Sequence, residues 1–331
     1  MNVLYLLQQG TTLAISGEQL VIKRSQDILQ SIQLPLLEYI LLFGWVHITA
    51  PALRACLKSR VPITYLSRSG FCYGRSLPLD WNHLSLGDRQ RAMPTTKSLE
   101  IARVMISAKL LNSRVLLLRQ QRKRHSASLE LAINSLSYYS QQAKIAETPD
   151  KLRGYEGAGA ACYYLAFAEC LSQEDFKFLG RTRRPPTNPV NAMLSFGYQI
   201  LWNHLLALVE LQHLDPFCGV LHTAHHGHAA LVSDLIEEFR APIADSLVLW
   251  LINSKVINID ADFEYRDRGC FLNESGKRKF LTAFVQRMEG KIQILDFPNV
   301  SPRWELLGNQ VKCFRQAILD EDRPYLPYRI D

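Results

Sequence analysis

The chain has 331 residues, 47% of them hydrophobic, and a formal net charge of +7. That length and apolar content suffice for a sizeable buried core in two domains, which excludes a chain too small or too polar to fold unaided. The modest positive balance points to a polyanionic partner without requiring one.

Before residue 85 the chain shows short alternating or β-rich runs separated by turn signals: NVLYLL, TTLAISG, EQLVIKR, LEYILLFGWVHIT, PITYLSRSG and FCYGRSL. They predict a small β-sandwich-like domain over 1–85. One helix interrupts it around Pro51 to Ser59, with Thr49 as N-cap and Pro51 in the first turn. A polar connector, DWNHLSLGDRQRAMPTTKS, has little periodicity and is expected to be flexible. From about residue 95 the apolar residues take 3.6-residue spacing. Helices are predicted over 97–124, 127–144, 156–171, 189–212, 229–238, 241–253 and 275–288, giving a mainly α-helical domain over 86–331. The fold class is therefore α+β.

Charge is unevenly distributed. Residues 101–128 contain no acid but carry Arg103, Lys109, Arg114, Arg119, Arg122, Lys123 and Arg124, on a segment whose apolar residues keep helical spacing. The expectation is a helix buried on one side and basic elsewhere, suited to phosphates. A second cluster, Arg181, Arg183 and Arg184, precedes Pro185 and Pro186, and reads either as a phosphate clamp or as an ordinary exposed loop. The seven cysteines form no C-x-x-C pair and read as reduced. No signal-peptide pattern opens the chain, and charged or polar residues interrupt its long apolar runs, so a cytoplasmic protein without a membrane partner is expected.

Four separated groups are candidate metal ligands: Glu156 in RGYEG, His222 in GVLH, and Asp234 with Glu237 in DLIEEFR. Oxygen donors with one imidazole suit a hard or borderline divalent ion, Mg2+ or Mn2+, which retains positions for water and phosphate oxygens. Asp234 and Glu237, three apart on a helical run, share one face. Each also has a bland reading: Glu156 at a helix N-terminus, His222 as a core histidine, and Asp234 with Glu237 as a solvated helix face. The HTAHHGH stretch, with His225, His226 and His228 near Cys218, is a weak zinc signal, since histidines crowded in one loop cannot all reach one ion. Gly154, Gly157 and Gly159 have the wrong order for a dinucleotide fingerprint and read as helix-packing positions. No G-x-S-x-G elbow or phosphate-binding G-x-x-x-x-G-K-[ST] loop is present.

Read in order, KLLNSR, LRGYEGAGA, GRTRRPPTNPVNAMLSFGY, LDPFCGVLH and DLIEEFRAPIAD resemble the landmarks of the CRISPR-associated integrase of spacer acquisition, a metal-dependent DNA endonuclease family. The resemblance covers nearly the whole chain and is strongest from about residue 100 to 255. It implies Glu156, His222 and Glu237 as ligands of Mg2+ or Mn2+, and Asp234 as a nearby acid that binds a second ion or orients a ligand. Asn191 and Tyr198 would shape the site or touch DNA. After Gly227 the family often carries Arg where this chain has His228, which weakens the expected phosphate contact there. The expected nucleic-acid contacts are Arg103, Lys109, Arg114, Arg181, Arg183, Arg184, Asn191, Tyr198 and His228. The implied chemistry joins 3′-hydroxyl ends of short DNA fragments to a repeat array and cleaves DNA phosphodiesters; the implied DNA partners are short duplex fragments, the repeat array and branched DNA. The implied partners are a second copy of the chain and a small spacer-acquisition nuclease. A non-catalytic scaffold for branched or single-stranded DNA and a zinc-dependent regulator are the competing readings.

Overall fold

The computed structural model describes residues 3–6, 8–67, 72–79, 84–122, 126–183, 185–223, 228–293, 300–320 and 322–331. Two compact units emerge, Met1–Gly87 and Asp88–Asp331. In the first, β1 (Val3–Leu6), β2 (Thr12–Ser16), β3 (Gln19–Arg24), β4 (Asp27–Gln33), β5 (Tyr39–Phe43) and β6 (His47–Ile48) precede α1 (Ala50–Lys58), β7 (Ile63–Leu66) and β8 (Cys72–Ser76). One sheet has the order β1-β5-β7-β8, with β1, β5 and β7 parallel and β8 antiparallel. The other has the order β4-β3-β2-β6. Gly17, at φ +60°, turns β2 tightly into β3, so that Ser16 faces Gln19.

Alternation places Leu13, Leu20 and Ile22 of one sheet and Ile40, Leu42 and Ile63 of the other in one core, joined by Ala52 and Cys56 of α1. α1 starts as predicted: the Thr49 hydroxyl accepts from the Ala52 N–H. β4 was not predicted. Its side chains are mostly exposed, Ile28 and Leu29 included, so it lacks a one-faced apolar pattern and is specified by pairing with β3 along a sheet edge.

α2 (Leu84–Arg91) runs across the boundary at Gly87, and the second unit continues with α3 (Thr95–Gln121), α4 (Ala127–Lys144), α5 (Pro149–Glu169) and α6 (Pro189–Leu211). Next come α7 (Ala230–Leu235), a 3-10 turn (Ile236–Glu238), a π turn (Arg240–Asp245) and α8 (Ser246–Asn253). The hairpin β9 (Phe263–Arg266) and β10 (Gly269–Leu272), α9 (Glu274–Glu289), the pair β11 (Lys291–Gln293) and β12 (Val300–Pro302), and α10 (Arg303–Leu319) complete it. α6 is long and apolar enough to cross a membrane, yet most of it is buried in the core.

Several expectations need correction. α5 begins at Pro149, because Thr148 caps it and Pro149 opens its first turn; Glu156 therefore lies inside the helix and cannot serve its N-terminus. α3 is buried on several sides, with Met105, Ile106, Ser107 and Ala108 buried in succession, so it is a central helix and not a one-sided one. The connector contains α2, and its Gln90 is buried and hydrogen bonded. Helices 229–238 and 241–253 form one helical path. Pro242 lacks the N–H that would bond to the Glu238 carbonyl, and the path passes through 3-10 and π geometry there. Asn112 Nδ2 donates to that carbonyl at 2.8 Å.

Candidate active site

Glu156 on α5, His222 in the loop after α6, and Asp234 and Glu237 on the α7 path are assembled by contacts among these helices. Gly159 sets the approach of α5 to α3: a Cβ there would lie 2.4 Å from a Leu110 methyl carbon. Gly154 and Gly157, also expected to serve packing, face open space. Three groups unforeseen in the sequence hold the histidine loop. Gln90 Nε2 donates to the Asp215 and Cys218 carbonyls, and its Oε1 accepts from the Asp215 N–H. Arg91 pairs with Asp215 at 2.7 Å. Arg153, one turn before Glu156, donates to the Leu221 carbonyl at 3.1 Å.

Asp234 forms the most completely hydrogen-bonded part of the site. Its Oδ2 accepts from the N–H groups of Val220 and Leu221, and its Oδ1 accepts from the His222 N–H and lies 2.7 Å from His222 Nδ1. Gly219 is required beside it, because a Cβ would fall 2.6 Å from Asp234 Oδ2 and 2.8 Å from the His222 carbonyl oxygen. With both oxygens engaged by four N–H groups, Asp234 orients the imidazole. The bond to Asp234, reinforced by the charges of Glu237 and Glu156, raises the His222 pKa above its ordinary value. It also leaves Nε2 as the ring nitrogen available to a ligand.

The two glutamates meet around a lysine. Lys109 Nζ lies 2.5 Å from Glu156 Oε1 and 2.7 Å from Glu237 Oε2, and Arg240 Nη1 lies 3.0 Å from Glu237 Oε1. Glu237 is buried. Burial alone would raise its pKa, but the charges of Arg240 and Lys109 prevail and hold it at about 2. Oε2 is buried against the Lys109 ammonium, its charge partner. Among the described residues no three His, Cys, Asp or Glu side chains form a preformed metal cage. Where Glu156 and Glu237 approach, the ammonium lies between them.

Behind Arg240, its guanidinium lies 4.9 Å from the Tyr198 ring centroid. Tyr198 and Tyr163 both donate to Asp245, at 2.6 and 2.7 Å. Burial keeps both phenols well above their ordinary range, and they remain donors. On the other side of the path, Glu238 accepts from the Tyr325 hydroxyl and the Tyr328 N–H, and burial pushes its carboxyl up to about 8. The sequence signal for this inner layer was the presence of Arg240 and Asp245 in an otherwise apolar run.

Several expected nucleic-acid contacts are engaged within the protein. Lys109 is buried between carboxylates. Arg103 Nε donates to the Ala146 carbonyl beyond the end of α4. Asn191 is fully buried: its Oδ1 accepts from Arg181 and the Thr182 N–H, and its Nδ2 donates to the Gly180 carbonyl, fastening that loop to α6. Arg181 also donates to Ser195 and lies over Tyr198. Asn191, Arg181 and Tyr198 thus shape the site from within. Arg183 is exposed, and Arg114 has a buried Nε without a hydrogen-bond partner. His228 is exposed, bonded through Nε2 to Ser233 and stacked on Trp202. Lys123, Arg124, Arg184, His225 and His226 lie outside the described residues.

The family model of CRISPR associated protein Cas1 matches residues 4–286. A CRISPR-associated endonuclease Cas1 of Methanospirillum hungatei is 32% identical over 99% of this chain and 91% of its own length. Among solved structures, a CAS1 protein from Thermotoga maritima superposes with a TM-score of 0.75 at 26% identity, covering 97% of this chain and 98% of that one. A chain of a partial Cas6-RT-Cas1 and Cas2 complex gives 0.78 at 24% identity over 99% of this chain and 98% of that one, a likeness of fold. The chain belongs to the Cas1 family of CRISPR associated proteins.

Proposed function

We propose that this chain is a divalent-metal-dependent DNA integrase and endonuclease of CRISPR adaptation, acting in the cytoplasm. The observation that carries this reading is a pair of carboxylates meeting beside an oriented histidine. Asp234 fixes His222 so that Nε2 remains available, and Glu156 and Glu237 each turn one oxygen toward the same point, where the Lys109 ammonium stands. This donor set of two carboxylates and one imidazole fits Mg2+ or Mn2+. Glu156, His222 and Glu237 would hold the ion, which supplies polarisation of the scissile phosphate and stabilisation of charge on the leaving oxygen.

The chain's own groups provide the positioning. Asp234 sets the ring, Arg240 restrains Glu237, and the Tyr163–Tyr198–Asp245 network supports Arg240 from behind. A 3′-hydroxyl of incoming DNA displaces the leaving oxygen in strand transfer; water does so in cleavage. Arg114, Arg183 and His228 are assigned to the DNA. The β-rich unit, with Ile28 and Leu29 exposed on its edge strand, is assigned to a homodimer. Cas2 is the proposed small partner, in keeping with the complex that shares the fold.

The test is strand transfer of a short duplex with free 3′-hydroxyls into supercoiled plasmid, with Mg2+ or Mn2+ and with or without Cas2. Wild type should yield joined products, and folded Glu156→Ala, His222→Ala and Glu237→Ala should not. Wild-type protein that binds DNA but neither joins nor nicks it would overturn the reading in favour of a scaffold.

A further inference from the structure

The ammonium of Lys109 occupies the space where Glu156 and Glu237 approach one another, and the electrostatics of the cluster give this a consequence. Two carboxylates, Glu156 and Glu237, are balanced by two cations, Lys109 and Arg240, within ion-pair distance. A divalent ion bound by Glu156 and Glu237 would meet the Lys109 ammonium at the same two oxygens, in a poorly solvated pocket where like charges repel far more than in water. One cation must therefore withdraw.

Arg240 is restrained by its pairing with Glu237 and its position over the Tyr198 ring. Lys109 presents a single ammonium on a flexible four-carbon stem, so it can leave the two carboxylates without disturbing the backbone. Lys109 is the cation that stands on both carboxylates, so an ion shared by Glu156 and Glu237 replaces both of its ion pairs at once. Its departure frees Oε1 of Glu156 and Oε2 of Glu237 together.

We infer that Lys109 is the resident cation of the metal-free site: its ammonium holds the two carboxylates at rest and is displaced by the divalent ion. This rests on the metal-site reading above and assigns Lys109 a role distinct from DNA binding. The lysine weakens metal affinity in exchange for two carboxylates held together when no metal is bound.

Two measurements on full-length protein test it without using turnover. The first is Mn2+ binding, read from the electron paramagnetic resonance signal of free ion, for wild type and Lys109→Met; the variant should bind Mn2+ on the order of tenfold more tightly. The second needs no substitution, so it stands even where the variant fails to fold. Reductive methylation of wild type, followed residue by residue by mass spectrometry, should be slow at Lys109 without metal and several-fold faster with saturating Mg2+, while exposed Lys255 is unchanged. Bound Mn2+ with equal or weaker affinity in Lys109→Met and unchanged protection of Lys109 would overturn the displacement role and leave the metal site standing. Absence of Mn2+ binding by both proteins would remove both.

Discussion

The two halves of the site are built on different principles. On the His222 side, four N–H groups converge on Asp234, and Gly219 lets the backbone close around it. On the glutamate side, Glu156, Glu237, Lys109 and Arg240 are held mainly by opposite charge between side chains. The first half is fixed by covalently anchored backbone donors. The second can rearrange when a different cation arrives. On the proposed metal-site reading, this division supplies one fixed ligand and two adjustable ones.

The largest expected contrast comes from near-isosteric amides in each half. Glu156→Gln should lower strand transfer by about 100-fold or more while changing stability by ~1 kcal/mol or less, because the amide oxygen can still accept from Lys109, which keeps Glu237 as its counter-ion. Asp234→Asn should lower activity by about 10- to 100-fold through misoriented His222. It should also destabilise the fold by ~1–3 kcal/mol, because an amide nitrogen replaces an acceptor facing backbone N–H groups. Denaturant unfolding beside the joining assay checks both. Equal stability loss in the two variants would break the distinction.

A titrating core residue lets fold loss be separated from site loss when pH is varied. His204 on α6 is buried, stacks on Trp304 and has its pKa lowered by burial to about 4. Between pH 6.5 and 4 the unfolded chain takes up a proton that the folded chain refuses. The stability contributed by neutral His204 is therefore present above pH 6.5 and lost as pH falls through that window, by ~3 kcal/mol. His204→Phe should flatten the slope of stability against pH there. An unchanged slope would contradict the assignment.

The smallest contrast concerns two glycines. Gly219→Ala drives a methyl into Asp234 and should cost ~1–3 kcal/mol. Gly154→Ala, facing open space inside α5, should stabilise by ~0.5–1 kcal/mol. Thermal unfolding of the two variants in opposite directions would locate the rigidity of the site in the histidine loop.

Much of the architecture was legible where residues carry their own local signal. Thr49 and Pro51 announced α1, and the change from alternation to helical spacing near residue 95 separated β-rich from helical sequence. Thr148 and Pro149 also signal a helix start, but the glycines of RGYEG obscured it. β4 was illegible because an edge strand with exposed apolar residues has no preferred face. The ligand candidates were visible because carboxylates and a histidine stand out in apolar surroundings. Their supports were harder to read. The acid-free stretch of α3 suggested free positive charge, yet the acids that neutralise Lys109 come from α5 and the α7 path, and Arg103 is satisfied by a backbone carbonyl. Neither partner is near in sequence. The links from Gln90 to the histidine loop and from Arg240 to Asp245 through tyrosine exist only after folding.

The most direct test of a fixed histidine half facing an adjustable glutamate half is anomalous X-ray scattering from crystals soaked with Mn2+. The predicted result is an ion bound by Glu156, Glu237 and His222 Nε2, with Nδ1 still on Asp234 and Lys109 withdrawn from the carboxylates. An ion bound by Asp234, or an imidazole turned to present Nδ1, would contradict it.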